Sequence, residues 1–391
     1  MNDMDSFNSL VIAGSGFMGQ GIARAALAAG FSSIVLHDRD AAVLERARAS
    51  VAERLNAPRS TPSVRISTER DLAAAVDGAD FVIEAAPEVL EVKQEIFRTL
   101  ARSAPARCVL ATNTSTMSID EIAAACEARD RVIGMHFFVP ESSRLVEITR
   151  GSHTSGATLE RTLALAERMP CSDGTRLTVV LDRWRPGFVV NRSTAPVVAY
   201  LNLVVDRAAE KGVKPEHLDA QVEPLVPGFY KTMDFIGLDV VYRTCVSFAA
   251  TLSPDLGPGR VLSERVRRGQ RGKKSGEGFY RYVNGEPVIE GGGPAHPDAT
   301  LGIDLELVMA LQFNECCRIV EERLLPDFSR IDEYIAGAIG GPGPCAMGFE
   351  RHREWCTRLD ELSREVAKPY FAPCKRMREG AFGRGSEVGR G

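Results

Sequence analysis

Two positions in this 391-residue chain have the types and spacing for proton transfer. His136 closes the apolar run Gly134-Met135-His136-Phe137-Phe138, and Glu147 sits inside the next run, Leu145-Val146-Glu147-Ile148. An imidazole gains and loses a proton near neutral pH. A carboxylate on its other ring nitrogen fixes the tautomer and makes it a stronger base. A histidine alone at a strand end is ordinary structure; the carboxylate that follows turns the reading toward a base. His37 adjoins a different acidic position, and His217, His296 and His352 fall in helical or loop regions without a polar cluster.

A second group stands at the start of the chain. The apolar run 10–13 leads into Gly14-Ser15-Gly16-Phe17-Met18-Gly19, a G-x-G-x-x-G. Gly14 permits the tight turn, Gly16 lets backbone approach a pyrophosphate, and Gly19 lets helix pack on strand. The helix N-terminus beyond offers free N–H groups to phosphate. The next apolar run, Ile34-Val35-Leu36-His37, ends in Asp38, near the spacing at which an acid takes the adenosine ribose hydroxyls. Its charge repels a 2′-phosphate, so NAD is favoured; Arg39 beside it leaves NADP open. A polar run, Thr112-Asn113-Thr114-Ser115-Thr116, closes a further strand, where several of its residues are expected to cap the following helix.

These residues need a scaffold that brings strand ends together. Short apolar runs at 10–13, 33–37, 64–67, 81–85, 108–111, 131–135 and 145–149 alternate with amphipathic stretches at 20–29, 40–55, 89–101 and 118–125. Such alternation predicts a Rossmann-type doubly wound parallel sheet, with ligands at the strand C-termini. From about Pro186 helical periodicity dominates, at 189–211, 240–251 and 305–323. The stretch 283–300 is rich in Gly and Pro and reads as a linker or exposed loop. The helical segments on its two sides share a pattern. Asn202–Arg207, Leu218–Asp219 and Gly228–Phe229 match Asn314–Glu321, Ile331–Asp332 and Gly348–Phe349, as after a duplication. The expected domains are 1–185 (dinucleotide-binding), 186–290 (helical) and 291–391 (a second, degenerate helical repeat).

Composition narrows the function further. The formal net charge is -4 with acids and bases intermixed, which argues against a nucleic-acid partner. No apolar run approaches a membrane span, and the acidic start MNDMDSFNSL lacks the features of a signal peptide. The nine cysteines form no C-x-x-C pair and read as reduced core thiols, so a cytoplasmic protein without a bound metal is expected.

Six segments in order make the chain resemble the 3-hydroxyacyl-CoA dehydrogenase family. They are the glycine loop, Glu84 to Glu88 through Lys93, Asn113-Thr114-Ser115, Gly134–Phe138, Pro186-Gly187-Phe188-Val189-Val190-Asn191-Arg192, and the run from Gly272 to Tyr280. The tail, including Tyr370-Phe371-Ala372-Pro373-Cys374, resembles the second C-terminal repeat of larger fatty-acid oxidation proteins. The resemblance implies an NAD-dependent oxidoreductase in which His136 is the base and Glu147 its partner. It implies that Ser115 and Asn191 hold the substrate oxygens and that Glu88, Lys93, Asn113 and Lys274 contact the nicotinamide half of the cofactor. The substrate implied is an acyl-CoA thioester.

The chain departs from the family pattern at several points. Val139 stands where the family usually has Asn, and the segment between His136 and Glu147 is a residue short. Pro227-Gly228-Phe229-Tyr230-Lys231 alters a substrate-side motif, and the stretch 54–63 is shorter than in CoA-using relatives. Two rivals therefore stay open: a dehydrogenase of acyl-carrier-protein thioesters in a biosynthetic pathway, and a non-catalytic NAD-binding protein. The second repeat permits either a monomer or a homodimer.

Overall fold

The strand–helix alternation closes into one twisted sheet. In the computed structural model, which describes residues 7–55, 64–171, 174–289 and 302–383, the chain divides into two compact units. The first comprises residues up to Phe188 together with residues 333–340. Its strands are β1 (Ser9–Ala13), β2 (Ser33–His37), β3 (Arg65–Glu69), β4 (Phe81–Glu84), β5 (Val109–Thr112), β6 (Val132–Phe137), β7 (Leu145–Arg150) and β8 (Leu177–Leu181). Between them lie α1 (Phe17–Ala26), α2 (Ala41–Leu55), α3 (Leu72–Ala75), α4 (Leu90–Ser103), α5 (Ile119–Ala123) and α6 (Gly156–Arg168).

Strand order is β3-β2-β1-β4-β5-β6-β7-β8, so the direction of winding reverses between β1 and β4. That reversal opens the crevice in which such sheets bind ligands. Side chains alternate between two cores. Leu10, Ile12 and Ile83 meet α1 and α6 on one face; Val11, Val82 and Leu110 meet α4 and α5 on the other.

The sheet is parallel except at one pair. β7 runs antiparallel to β6, and β8 runs parallel to β7. The turn 138–144 is too short for the crossover that a parallel neighbour requires, so the chain can only return antiparallel. This exception to the expected parallel sheet places His136 directly opposite Glu147 in the register.

The second unit holds residues 189–332 and 341–383 of those described. Its elements are α7 (Val190–Glu210), α8 (Pro215–Val222), α9 (Phe229–Ile236), α10 (Leu238–Thr251), α11 (Arg260–Arg267), a hairpin of β9 (Arg281–Val283) and β10 (Glu286–Val288), α12 (Leu305–Glu321), α13 (Ile331–Ile339), α14 (Cys345–Glu365) and α15 (Lys375–Glu379). Most of α13, from Glu333, belongs to the first unit.

Arg192, only 1% exposed, joins α7 to α12. Its guanidinium bonds Glu315 at 2.8 Å and Glu322 at 2.8 and 2.6 Å. A buried cation is tolerable only with partners of this kind. The Arg of the segment 186–192 is thus a structural tie.

One capping device occurs twice. Asp219 accepts from the N–H groups of Tyr230 and Lys231, and Asp332 accepts from those of Cys345 and Ala346. A Cβ on Gly228 would lie 2.6 Å from Asp219, and one on Gly343 would lie 2.1 Å from Asp332. The counterpart of Gly228 is therefore Gly343. The expected match to Gly348 is corrected, since Gly348 lies against the Phe313 ring.

The expected loop at 283–300 is corrected in its first part. Asn284 and Gly285 both have positive φ (53° and 81°) and turn the β9–β10 hairpin. Asn-Gly is the strongest short hairpin signal. The remainder, 290–300, lies outside the described residues, as does most of the shortened stretch 54–63. All nine cysteines are free thiols, buried or half-buried, and no helix among the described residues is long and apolar enough to cross a membrane.

Candidate active site

The cross-strand register alone brings the imidazole to its carboxylate. His136 Nδ1 lies 2.8 Å from Glu147 Oε2, with His136 5% and Glu147 0% exposed. An ionised carboxylate only accepts hydrogen bonds, so in the neutral ring Nδ1 carries the proton and Nε2 keeps its lone pair. Two rings flank the imidazole: Phe138 at 4.7 Å, edge-on, and Phe188 at 5.6 Å. Phe188 is buried and holds φ +53°, following Gly187 at φ +75°. A bulky residue in the left-handed region costs roughly 1–3 kcal/mol and persists where its neighbours dictate it. Here the strained residue packs on the candidate base.

The glycine loop has the three properties assigned to it from sequence. Gly14 has φ +103°, and a Cβ there would lie 2.7 Å from the Ala85 and Ala86 backbone. A Cβ on Gly19 would lie 2.0 Å from the Gly14 carbonyl oxygen. A Cβ on Gly16 would meet nothing within 4 Å, so the space a pyrophosphate needs is open there. No side chain caps α1, so its N–H groups remain for phosphate. Phe17 is exposed, and Met18, also in the first turn of α1, packs on the core. Asp38 directly follows β2, half-buried, accepting from Ser15 N and Asp40 N at 3.0 Å each. The residues present fit a dinucleotide at this crevice. Gly19→Ala is expected to cost about 1–3 kcal/mol of stability by overpacking and to weaken NADH binding at least tenfold, read by calorimetry.

At the end of β4 a buried ion network supports the next loop. Lys93, 1% exposed, bonds Glu84 at 2.8 and 3.1 Å and Glu88 at 3.1 Å. Burial works against the ammonium, but Glu84 and Glu88 outweigh it and hold the Lys93 pKa above its ordinary value. Burial likewise disfavours the Glu88 carboxylate, yet Lys93 and the bonds from Thr114 and Ser115 keep its pKa below the ordinary range.

Glu88 Oε1 accepts from the Thr114 hydroxyl and from the N–H groups of Ser115 (3.1 Å) and Thr116 (3.3 Å). The run 112–116 therefore folds around Glu88, and the cap of α5 is Ser118, which corrects the expectation that residues of 112–116 cap it. Asn113 Oδ1 accepts from Phe137 N at 2.9 Å, tying β5 to the backbone beside His136. Glu84, named from sequence only as part of a segment, was given no role there; its signal was a carboxylate ending an otherwise apolar run, with Lys93 following.

Two of the expected site residues stand in the second unit. Asn191 lies in the first turn of α7. Lys274 follows Gly272 in a short 3-10 turn, and its Nζ pairs with Asp239 at 2.5 Å. Asp234 holds that turn's far side, accepting from Phe279 N, Tyr280 N (2.8 Å each) and Tyr282 Oη (3.1 Å). Asp234→Asn turns an acceptor into a donor facing those N–H groups. A loss of about 1–3 kcal/mol is expected on chemical denaturation.

The family model described as "3-hydroxyacyl-CoA dehydrogenase, NAD binding domain" matches residues 9–172, and "3-hydroxyacyl-CoA dehydrogenase, C-terminal domain" matches 187–282. A probable 3-hydroxybutyryl-CoA dehydrogenase of Bacillus subtilis is 38% identical over 294 residues, covering 70% of this chain and 96% of its own. The glyoxysomal fatty acid beta-oxidation multifunctional protein MFP-a of Brassica napus is 27% identical over 95% of this chain, which spans 54% of that protein. A crystal structure of 3-hydroxybutyryl-CoA dehydrogenase from Escherichia coli K12 superposes with TM-score 0.75 at 25% identity, covering 96% of this chain and 98% of that one.

Proposed function

This chain belongs to the 3-hydroxyacyl-CoA dehydrogenase family, and on that premise we propose that His136 and Glu147 carry the proton half of its reaction. The protein is an NAD-dependent oxidoreductase of that family. The observation that carries the reading is the buried 2.8 Å pair between His136 Nδ1 and Glu147, which in the neutral ring directs the lone pair to Nε2.

In the oxidising direction the C3–H bond and the hydroxyl O–H bond break, and C3–O becomes a carbonyl. The proton goes to His136 Nε2, and Glu147 stabilises the imidazolium that results. NAD, when bound, supplies the acceptor for the hydride. Ser115 and Asn191 are neutral donors suited to the substrate oxygens, since they polarise a ketone without competing with the base. Gly16 and the α1 N-terminus receive phosphates, and Asp38 receives the adenosine ribose. Glu88 and Asn113 shape the nicotinamide side. Lys93 anchors Glu88 there, because its own donors are committed to Glu84 and Glu88. Lys274 is assigned to the same side, on the family resemblance.

The finer readings are also proposals. The substrate is taken as a short 3-hydroxyacyl-CoA, by likeness to relatives named for 3-hydroxybutyryl-CoA. The chain is read as three domains, 1–185, 186–290 and 291–391, supported by the repeated capping of Asp219 and Asp332. The second repeat allows a monomer as well as a homodimer, and the free thiols suit a cytoplasmic location. A panel of 3-hydroxyacyl thioesters followed at the NADH absorbance tests the function. Turnover of CoA esters is expected to exceed that of carrier-protein esters. Turnover of carrier-protein esters alone would move the substrate to the biosynthetic alternative, and turnover of none would remove the enzymatic reading.

A further inference from the structure

The turn 138–144, directly after the base, is held from several sides. Ser143, 9% exposed, accepts from Val139 N at 3.2 Å and donates to the Ala338 carbonyl at 2.7 Å. Ala338 lies in the last turn of α13, where carbonyls have no partner within the helix. Gly337, one residue earlier, sits against Leu177 and Arg144 so closely that a Cβ would lie 3.1 Å from Leu177 Cδ2. Tyr334, Ile335 and Ala338 of α13 are buried.

Arg176 holds the same turn from β8's side. It is 9% exposed, and its guanidinium donates to four carbonyls: Pro140 and Ser143 in the turn, Met169 at 2.6 Å and Pro170 at 3.3 Å. Its carbon lies 5.5 Å from the centre of the Phe137 ring, the residue next to the base. Pro140 also packs on Gly21 of α1, and Glu141 pairs with Arg24 of α1 at 2.7 Å.

Resting on the assignment of His136 as the base, we infer that Ser143 and Arg176 are positioning residues of the active site, and that α13 is part of its support. The turn leads out of Phe138, whose ring lies edge-on to the imidazole, so a loosened turn frees that ring and the orientation of His136. α13 lies beyond residue 282, where the family models end, and the Bacillus subtilis relative matches almost in full over 70% of this chain. The segment beyond the family core thus supplies a contact to the turn next to the base.

Ser143→Ala, Ser143→Thr and Gly337→Leu in the full chain test this against wild type. A displacement on the order of 1 Å near a reacting group costs up to about 10²-fold in rate. Ser143→Ala and Gly337→Leu are expected to lower kcat at least tenfold while KM for the thioester and the Kd for NADH stay within twofold. Ser143→Thr, which keeps the hydroxyl, is expected to restore most of kcat. The double variant is expected to lose less than the product of the two single losses, because both act through one contact.

A second readout does not need turnover. The proton between His136 Nδ1 and Glu147 is expected as a downfield proton resonance in wild type, broadened in Ser143→Ala. An unchanged kcat with an unchanged resonance would overturn the inference, as would a loss confined to melting temperature. Wild-type turnover on the thioester panel judges the reaction itself, so the two claims fail separately.

Discussion

Replacing His136 by Gln is expected to lower kcat for 3-hydroxyacyl-CoA oxidation by about 10³-fold or more, near the upper range for removal of a general base. Gln is close to His in size and can still hydrogen-bond Glu147, so Phe138 and Phe188 keep a ring-sized neighbour and the sheet is undisturbed. What it lacks is a nitrogen that takes up a proton. The hydroxyl must then lose its proton to water in a nearly closed site, since His136 is only 5% exposed. NADH binding, which rests on the glycine loop and Asp38, is expected to stay within twofold. Steady-state kinetics with calorimetric NADH titration checks both. A variant with near-normal kcat would remove His136 from the reaction.

Glu147→Gln is expected to lower kcat by about 10²- to 10⁴-fold, the range seen when the acid orienting a catalytic histidine becomes an amide. The amide can turn its NH2 toward Nδ1, which moves the imidazole proton to Nε2 and blocks the base. It also removes the charge that stabilises the imidazolium, at a position 0% exposed where water cannot substitute. Folding is expected to hold, because the side chain keeps its shape. The loss is predicted in kcat, with KM for the thioester nearly unchanged. A loss confined to KM would make Glu147 a binding residue and leave the base without its partner.

Much of the sheet was legible in the chain because strands and crossover helices write short-range signals. The strand at 33–37 is found where the apolar run places it, and most others within one or two residues. The three glycines were legible because each answers a local demand: positive φ at Gly14, open space at Gly16, close packing at Gly19. The His136–Glu147 pair was legible as a pattern; the antiparallel return that joins them departs from the expected parallel sheet, for the turn 138–144 is too short to cross over.

What escaped the sequence reading is long-range. Glu84 looks like one polar residue closing an apolar run until Lys93 folds back on it. Arg176 looks like a surface cation, yet it is buried among carbonyls of the turn 138–144 and of Met169 and Pro170. Ser143 meets Ala338 across 195 positions of chain, and no local pattern announces such a contact. The hairpin at 281–288 is a different kind of miss. Its Asn-Gly signal was present and was outweighed by the surrounding glycines and prolines.

The most direct measurement is a crystal structure of the ternary complex with NAD and a 3-ketoacyl-CoA. His136 Nε2 is expected within about 3.2 Å of the C3 oxygen, with Nδ1 still on Glu147. A C3 oxygen bonded elsewhere and an imidazole turned from both the substrate and Glu147 would contradict it.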